Sequence, residues 1–290
     1  MKIKSGLIII ALLVGFSALV LECSPAEESV FTSEITSPPA ITNIPTAPPT
    51  MTYTPYSRLN PTSLPETPTP QMEICSPLEG ITLQELPETI FNPFNPPRPG
   101  SDDPHQGVDF SDIDPFTQIA LEGRPVQSVM DGTVAAVVRD RFPYGNAILI
   151  ETTFNILPDV WLPAILLPTP DPGSLTKTGL TCPEIKSLPG NQIDERSLYL
   201  LYAHLKESAD FQIGDLVSCG QIIGHIGNSG NSLNPHLHLE ARIGPAGSVF
   251  ESMSHYNTSA SPEEMANYCL WRVSGQFSLA DPMSFLSISP

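Results

Sequence analysis

Proline is concentrated in one part of the chain, and this distribution decides which residues can fold. Between residues 24 and 72 there are 11 Pro and 16 Ser or Thr among 49 residues, with four carboxylates and one arginine. Such a segment cannot bury enough apolar surface to offset the entropy of ordering it, and its prolines favour extended conformations. We therefore predict a disordered, semi-rigid tether over residues 24–72.

The tether follows a segment with the layout of an export signal. Lys2 and Lys4 precede an uncharged run that is almost wholly apolar from Leu7 to residue 21, as in secretory signals. Cys23 follows this run and resembles the lipid acceptor of bacterial lipoproteins, although Glu22 stands where that signal has a small residue. Lipid attachment at Cys23, ordinary cleavage and an uncleaved anchor stay open for residues 1–23. Each predicts that the rest of the chain is extracytoplasmic, in the cell envelope or secreted.

The charge balance excludes some classes of partner. The chain has 13 Lys and Arg against 31 Asp and Glu, a formal net charge of −18. Nucleic-acid binding relies on cations that neutralise phosphates, so a nucleic-acid partner is excluded. An anionic membrane surface is equally unsuited to this charge, which leaves the N-terminus as the route for any membrane attachment. No pattern predicts an oligomeric state.

Residues 73–290 have the composition of one globular domain. Short β-rich runs are separated by Gly, Asp, Asn and Pro turn signals, which predicts a single all-β domain. One short helix is predicted at Ser261–Leu270. The predicted strands include Thr133–Val138, Ala147–Glu151, Leu198–Tyr202, Gln221–Ile226 and His236–Ile243.

Four cysteines lie within this domain, at Cys75, Cys182, Cys219 and Cys269. An even number in an exported domain indicates disulfides, and none of the four has the paired spacing of a zinc knuckle. Four cysteines allow three pairings, and all three stay open at this point. Free thiols stay open for one pair.

Histidines occur at strand-like spacings. In the run His236–Ile243, alternation places His236 and His238 on one face and Leu237 and Leu239 on the other, apolar face. His105 and Asp109 are four residues apart around Gly107, an even spacing that also places both on one face of a strand. Two imidazole nitrogens and one carboxylate oxygen would leave the fourth position of a tetrahedral zinc ion for water, as in catalytic zinc sites.

The remaining histidines carry weaker signals. His204 ends the run 200–205, where alternation predicts that Tyr202 and His204 share a face. His225 and His255 lie in no such pattern, and we predict that both are surface residues.

Three motifs, in order, resemble those of the lysostaphin-like or LytM-type zinc metallopeptidases, which cleave peptide cross-links of peptidoglycan. They are the H-x-G-x-D element at 105–109, the Y-A-H-L element at 202–205 and the H-L-H element at 236–238. The resemblance covers about 104–243. It implies a compact antiparallel β-sandwich or barrel-like domain, built on a duplicated hybrid motif, with a groove floored by the sheet that carries these residues.

The resemblance also implies the role of each residue. His105, Asp109 and His238 would hold one Zn²⁺ per chain, and His204 and His236 would be the catalytic histidines. Peptidoglycan stem or cross-bridge peptides would be the substrate. Two alternatives stay open: a non-catalytic wall-binding or amidase-activating protein of the same fold, and a secreted metallopeptidase that acts on ordinary proteins.

The chain departs from the family pattern in two places. Asn234 stands before Pro235, where a glycine is usual, and asparagine tolerates a left-handed backbone well. An insertion at about 153–197 replaces a short connection just before His204. Our hypothesis is that this insertion packs beside the groove and narrows the choice of substrate.

Overall fold

The computed structural model describes residues 72–96, 105–154, 157, 180–185 and 195–287. The predicted export signal with Cys23 lies outside these residues, as do the predicted tether up to residue 71 and most of the insertion. Among the described residues, no helix is both long enough and apolar enough to span a bilayer.

Strands dominate the described part of the chain, with a short 3₁₀ helix at Leu86–Thr89 and two α-helices, α1 (Pro262–Arg272) and α2 (Met283–Leu286). The five strand runs that the sequence analysis names coincide with strands of the structure, whereas the strand predicted at 105–109 begins only at Val108, so His105 precedes it. In chain order these are β1 (Ile90–Asn92), β2 (Val108–Phe110), β3 (Asp112–Ile113), β4 (Ala120–Leu121), β5 (Pro125–Gln127), β6 (Gly132–Arg141), β7 (Gly145–Thr153), β8 (Arg196–Leu205), β9 (Leu216–Val217), β10 (Ile222–His225), β11 (Leu237–Pro245) and β12 (Ser278–Ala280).

One eight-stranded sheet organises these elements. Its order is β1-β2-β11-β8-β7-β6-β9, and β12 pairs with the far part of β11. The strands β5 and β10 form one small sheet, and β3 and β4 form another. Every strand pair is antiparallel, so the predicted all-β class is confirmed.

The two faces of the large sheet carry two separate apolar clusters, because side chains alternate along each strand. On β11, Leu237, Leu239 and Ala241 belong to the first cluster. This cluster also contains apolar side chains of residues 72–86 and of α2. The second cluster lies on the other face of the sheet. There, side chains of β7 and β8 pack against Trp271 of α1 and against Phe277. The polar side of β11 faces this second cluster.

Helix α1 begins close to its predicted position. Ser261 caps it, and a reciprocal capping box joins Ser261 with Glu264. Such boxes satisfy two of the backbone N–H groups that have no partner at a helix start. The helix ends two residues later than predicted, at Arg272.

Two disulfides settle the cysteine pairing. Cys75 pairs with Cys219, and Cys182 of the insertion pairs with Cys269 of α1. They close long segments of chain, with sequence separations of 144 and 87 residues. In the chain-entropy model, a disulfide that closes a loop of about this length stabilises the folded state by roughly 4–5 kcal/mol, because it restricts the unfolded chain.

Candidate metal centre and groove

Three ligand atoms converge where β2 lies beside β11. The sheet register places His238 directly opposite Asp109. Nδ1 of His238 is 2.8 Å from Oδ1 of Asp109, and Nε2 of His105 is 3.0 Å from the same oxygen. The two imidazole nitrogens are 3.1 Å apart. Among the described residues, this trio is the group of side chains placed to hold a metal ion.

Gly107 is required for this convergence. A Cβ at this position would lie 2.5 Å from the carbonyl oxygen of Leu239 and 2.7 Å from Cε1 of His238. Both distances are well inside van der Waals contact, so any side chain would push the His238 ring away. The glycine of the H-x-G-x-D element thus makes room for the His238 ring on the neighbouring strand.

The hydrogen bonds of the ligand histidines favour a cation. Nδ1 of His105 is 3.1 Å from the carbonyl oxygen of Pro93, which can only accept, so Nδ1 carries the proton and Nε2 has a free lone pair. Burial lowers the pKa of His238, but the Asp109 and Glu240 carboxylates outweigh it and raise the pKa to about 9. The site therefore stabilises positive charge, and its two nitrogens and one oxygen suit zinc.

Asp109 is held in its charged form. Burial disfavours the carboxylate, but hydrogen bonds to His105 and His238 outweigh it and keep the pKa of Asp109 well below its usual range. Its second oxygen, Oδ2, accepts a hydrogen bond of 3.1 Å from the side chain of Asn92 on β1. Both oxygens are thus oriented before any metal binds.

A buried ion network lies beneath His238. Glu240 is fully buried, and its Oε2 is 3.6 Å from Nε2 of His238. Arg242 donates to Oε1 from Nε at 2.6 Å, and Arg272 of α1 lies 3.5 Å from Oε2. Burial alone would raise the pKa of Glu240, but Arg242 and its other partners hold it well below the usual range. The hydroxyl of Tyr144 donates to the same carboxylate at 3.1 Å.

Glu240 and Arg242 were not singled out from the sequence as site residues. The signal was present in the alternation of β11, since residues 238, 240 and 242 share one face. No sequence signal connects Arg272 or Tyr144 to them, because both come from distant segments.

His204 and His236 stand beside the trio. Their rings are 4.8 Å apart, and the His204 ring is 5.8 Å from that of His238. Nδ1 of His204 donates to the carbonyl of Ser229 at 2.8 Å, and Nδ1 of His236 donates to that of Asn234 at 2.7 Å. Each Nε2 is therefore left with a lone pair when the ring is neutral.

Both rings are held neutral. Burial lowers the pKa of His204 to about 3, and the neighbouring His238 and His236 add to this shift. Burial also lowers the pKa of His236. Neutral imidazoles can accept a proton from a polarised water.

The predicted face of His204 was wrong. Tyr202 packs into the first apolar cluster and its hydroxyl accepts from the backbone of Val129, whereas His204 lies with His238 on the other face. The register between β7 and β8 shifts here, so that two residues of β8 oppose one of β7. His204 adopts a left-handed φ of 60° at this bulge. The bulge turns the imidazole into the site.

The prediction for His255 was also wrong. Only 6% of this residue is exposed, and its ring packs 5.4 Å from that of Tyr268. His225 is partly exposed and pairs with Glu207, in agreement with its predicted surface position. Asn234 has no left-handed backbone, so the tolerance of asparagine for that conformation is not used at this position.

These side chains line one groove of about 880 Å³. The insertion borders the same region, since residues 180–185 reach His255 and Tyr256. The walls of the groove come from five segments of the chain, which contribute Phe91, Asn92, Phe142, Pro143, Tyr144, Asn231, Ser232, Leu233, Asn234, Tyr256, Tyr268 and Arg272.

A comparison with family models agrees, over part of the chain, with the resemblance that the motifs carry. Residues 191–249 match the model of peptidase family M23. This stretch contains His204, His236 and His238, and it ends before α1. A search of curated proteins found no match.

Several solved structures are similar to this chain. A peptidase M23 from Pseudomonas aeruginosa is 15% identical over 70% of this chain and 50% of that one, with a TM-score of 0.32. A zinc-containing peptidase from Vibrio cholerae is 26% identical over 52% of this chain and 32% of that one, with a TM-score of 0.30. The catalytic domain of lysostaphin from Staphylococcus simulans is 20% identical over 72% of this chain and 99% of that one, with a TM-score of 0.34. The chain thus spans half or less of the first two structures.

Proposed function

We propose that this protein is an exported zinc endopeptidase that hydrolyses peptide bonds in the stem or cross-bridge peptides of peptidoglycan. The observation that carries the proposal is the meeting, in one groove, of a three-atom ligand set and two neutral histidines. The match of residues 191–249 to peptidase family M23 supports it.

His105, Asp109 and His238 would hold one zinc ion per chain. When bound, zinc supplies a Lewis acid that polarises the substrate carbonyl and lowers the pKa of a water ligand to near neutrality. The buried Glu240 faces Nε2 of His238 and keeps Nδ1 directed at the site. Such a contact fixes both the tautomer and the orientation of a ligand histidine.

His204 and His236 would move the protons. An Nε2 lone pair accepts a proton as the water oxygen forms its bond to the carbonyl carbon. The carbon–nitrogen bond then breaks, and the leaving nitrogen takes up a proton and departs as a free amine. The carbonyl groups of Ser229 and Asn234 keep each Nε2 turned towards the groove throughout.

Incubation of the purified full-length protein with peptidoglycan tests the proposal. With zinc added, we expect soluble fragments whose newly exposed amines are identified by mass spectrometry. The chelated protein and the His238→Ala variant should release none. Sedimentation with the wall without release would instead identify a wall-binding protein, and cleavage of casein but not of peptidoglycan would identify a general peptidase.

The export part of the proposal rests on residues 1–23 and needs its own test. Lipid attachment predicts that the protein fractionates with membranes and incorporates labelled fatty acid, and that Cys23→Ala abolishes the label. Secretion of an unlabelled, shortened chain would indicate ordinary cleavage.

A further inference from the structure

Three tyrosines line the groove, and they differ in exposure. Tyr144 and Tyr268 are buried, with 3% and 2% of the residue exposed, whereas Tyr256 is 55% exposed. Tyr256 and Tyr268 lie beyond the stretch that matches the family model. Tyr256 thus presents part of its side chain to whatever occupies the groove.

The backbone of Tyr256 is strained. Its φ of 62° lies in the left-handed region, which a bulky residue rarely adopts. Such a conformation persists only where the surroundings impose it. Here the backbone N–H of Tyr256 donates to Nδ1 of His255 at 2.8 Å.

The buried His255 is itself held by the insertion. Because Nδ1 accepts from Tyr256, the ring proton lies on Nε2, which donates to the carbonyl oxygen of Thr181 at 3.0 Å. The His255 ring also packs edge-on against Tyr256, with centroids 4.6 Å apart. The backbone N–H of His255 donates to the carbonyl of Phe142, which lines the groove.

A disulfide fixes this part of the insertion. Cys182 follows Thr181 and is bonded to Cys269, the neighbour of Tyr268 in α1. The Tyr268 ring lies 6.0 Å from that of Tyr256, in an edge-on arrangement. The insertion and α1 therefore support Tyr256 from two directions.

We propose that Tyr256 is a substrate-binding residue, and that the insertion influences substrate choice by holding it in place. The ligand is a peptide segment next to the scissile bond, with a planar amide or an apolar side chain resting on the ring. This inference rests on the proposed function, since it assumes that the groove binds peptides. His255 and the Cys182–Cys269 disulfide are positioning elements that act through Tyr256.

Kinetics of the zinc-loaded full-length protein on a series of stem and bridge peptides tests the proposal. Aromatic contacts of this kind are worth about 0.5–1.5 kcal/mol, so Tyr256→Ala should raise KM roughly three- to tenfold, with kcat within about twofold of the wild type. Tyr256→Phe keeps the ring and should raise KM less than Tyr256→Ala does. Phe116→Ala is the matched control, since Phe116 is a 93% exposed aromatic outside the groove residues.

The positioning role has a separate control. The double variant Cys182→Ser/Cys269→Ser should raise KM, as Tyr256→Ala does. When the disulfide is removed from the Tyr256→Ala protein, KM should rise little further. The variant Cys75→Ser/Cys219→Ser loses the other disulfide and should leave KM unchanged. Circular dichroism at the assay temperature shows that each variant is folded.

Binding separates failure of this inference from failure of the proposed function. In a His204→Ala background, peptide affinity is measured by calorimetry without turnover. A weaker affinity for the Tyr256→Ala protein supports the inference even if no peptide is cleaved. An unchanged affinity, or a loss in kcat alone, would overturn it.

Discussion

The two faces of strand β11 show how one segment serves both stability and chemistry. On one face Leu237, Leu239 and Ala241 enter an apolar cluster. On the other face, His238 and Glu240 are buried as well, but among charged and polar partners. The first face needs only volume and apolar surface, whereas the second needs each polar atom to be paired.

The difference lies in what a substitution would disturb. Loss of a methyl group on the apolar face leaves a cavity, and the cost is in the free energy of unfolding. Loss of a charge on the polar face leaves other buried charges unpaired and also moves a metal ligand. Four substitutions test this comparison, in decreasing order of their expected effect on zinc affinity.

His238→Ala should have the largest effect. It removes one of three ligand atoms, and we expect peptidase activity to fall on the order of a thousandfold or more, with zinc lost to a weak chelator. Metal content after gel filtration and fragment release from peptidoglycan are the measurements. His225→Ala is the matched control, because His225 lies outside the groove and pairs with Glu207. Equal zinc content in the two variants would contradict the assignment of the site.

Glu240→Gln should weaken zinc binding by about 10- to 100-fold, since it removes the carboxylate that faces Nε2 of His238. The variant should also be less stable, because Arg242 and Arg272 lose their shared partner. Competition with a fluorescent chelator gives the affinity.

Glu151→Gln separates these two effects. Glu151 is also buried and accepts hydrogen bonds from Ser197 and Tyr199, away from the groove residues. The Glu151→Gln variant should have a lower free energy of unfolding and an unchanged zinc affinity. If both glutamate variants bound zinc equally well, Glu240 would be a structural residue only.

Gly107→Ala should lower zinc affinity by roughly tenfold. The added methyl group meets the carbonyl of Leu239 and the ring of His238, and overpacking of this kind costs about 1–3 kcal/mol. A displacement of His238 that costs about 1.4 kcal/mol corresponds to a tenfold change in affinity.

Gly224→Ala is the control for Gly107→Ala, because the three atoms nearest to its methyl group would all belong to the movable Leu205 side chain, the closest at 3.0 Å. Chelator competition on both proteins gives the comparison. A fall in affinity for Gly224→Ala of the same size would show that Gly107 has no special place in the site.

Leu239→Ala should leave zinc affinity unchanged. The side chain is fully buried in the first cluster, so its truncation should lower the free energy of unfolding by about 2–5 kcal/mol. Urea denaturation of the zinc-free protein measures the stability, and chelator competition at low temperature measures the site. A loss of zinc affinity in a folded variant would show that the two faces are coupled.

The two-residue alternation of side chains along a strand predicted which residues of the run 236–243 lie in the site. The run 236–243 alternates without interruption, so residues 236 and 238 could be assigned to a polar face and residues 237 and 239 to the core. The same rule failed at His204, because a bulge inserts an extra residue opposite β7 and reverses the face. A bulge is a local exception to the two-residue period, and alternation alone does not reveal it.

Contacts between distant segments could not be predicted. His255 lies in no periodic pattern and is buried because the insertion and α1 close over it. Disulfide pairing was open among three choices, since sulfur atoms pair by proximity in space and not by order in the chain. Arg272 reaches Glu240 from a helix that begins 22 residues further along the chain.

The sequence by itself determined the strand class and grouped His236 with His238 and His105 with Asp109, because residue type and an even spacing are local properties. The resemblance of the three motifs then implied His105, Asp109 and His238 as the candidate ligands. Only the tertiary structure decided that these ligands meet at one point, that Gly107 makes room for them and that Glu240 faces His238 from below. It also placed Tyr256 in the lining of the groove. Those outcomes depend on strand register, a bulge and a disulfide, each of which joins residues that the chain keeps far apart.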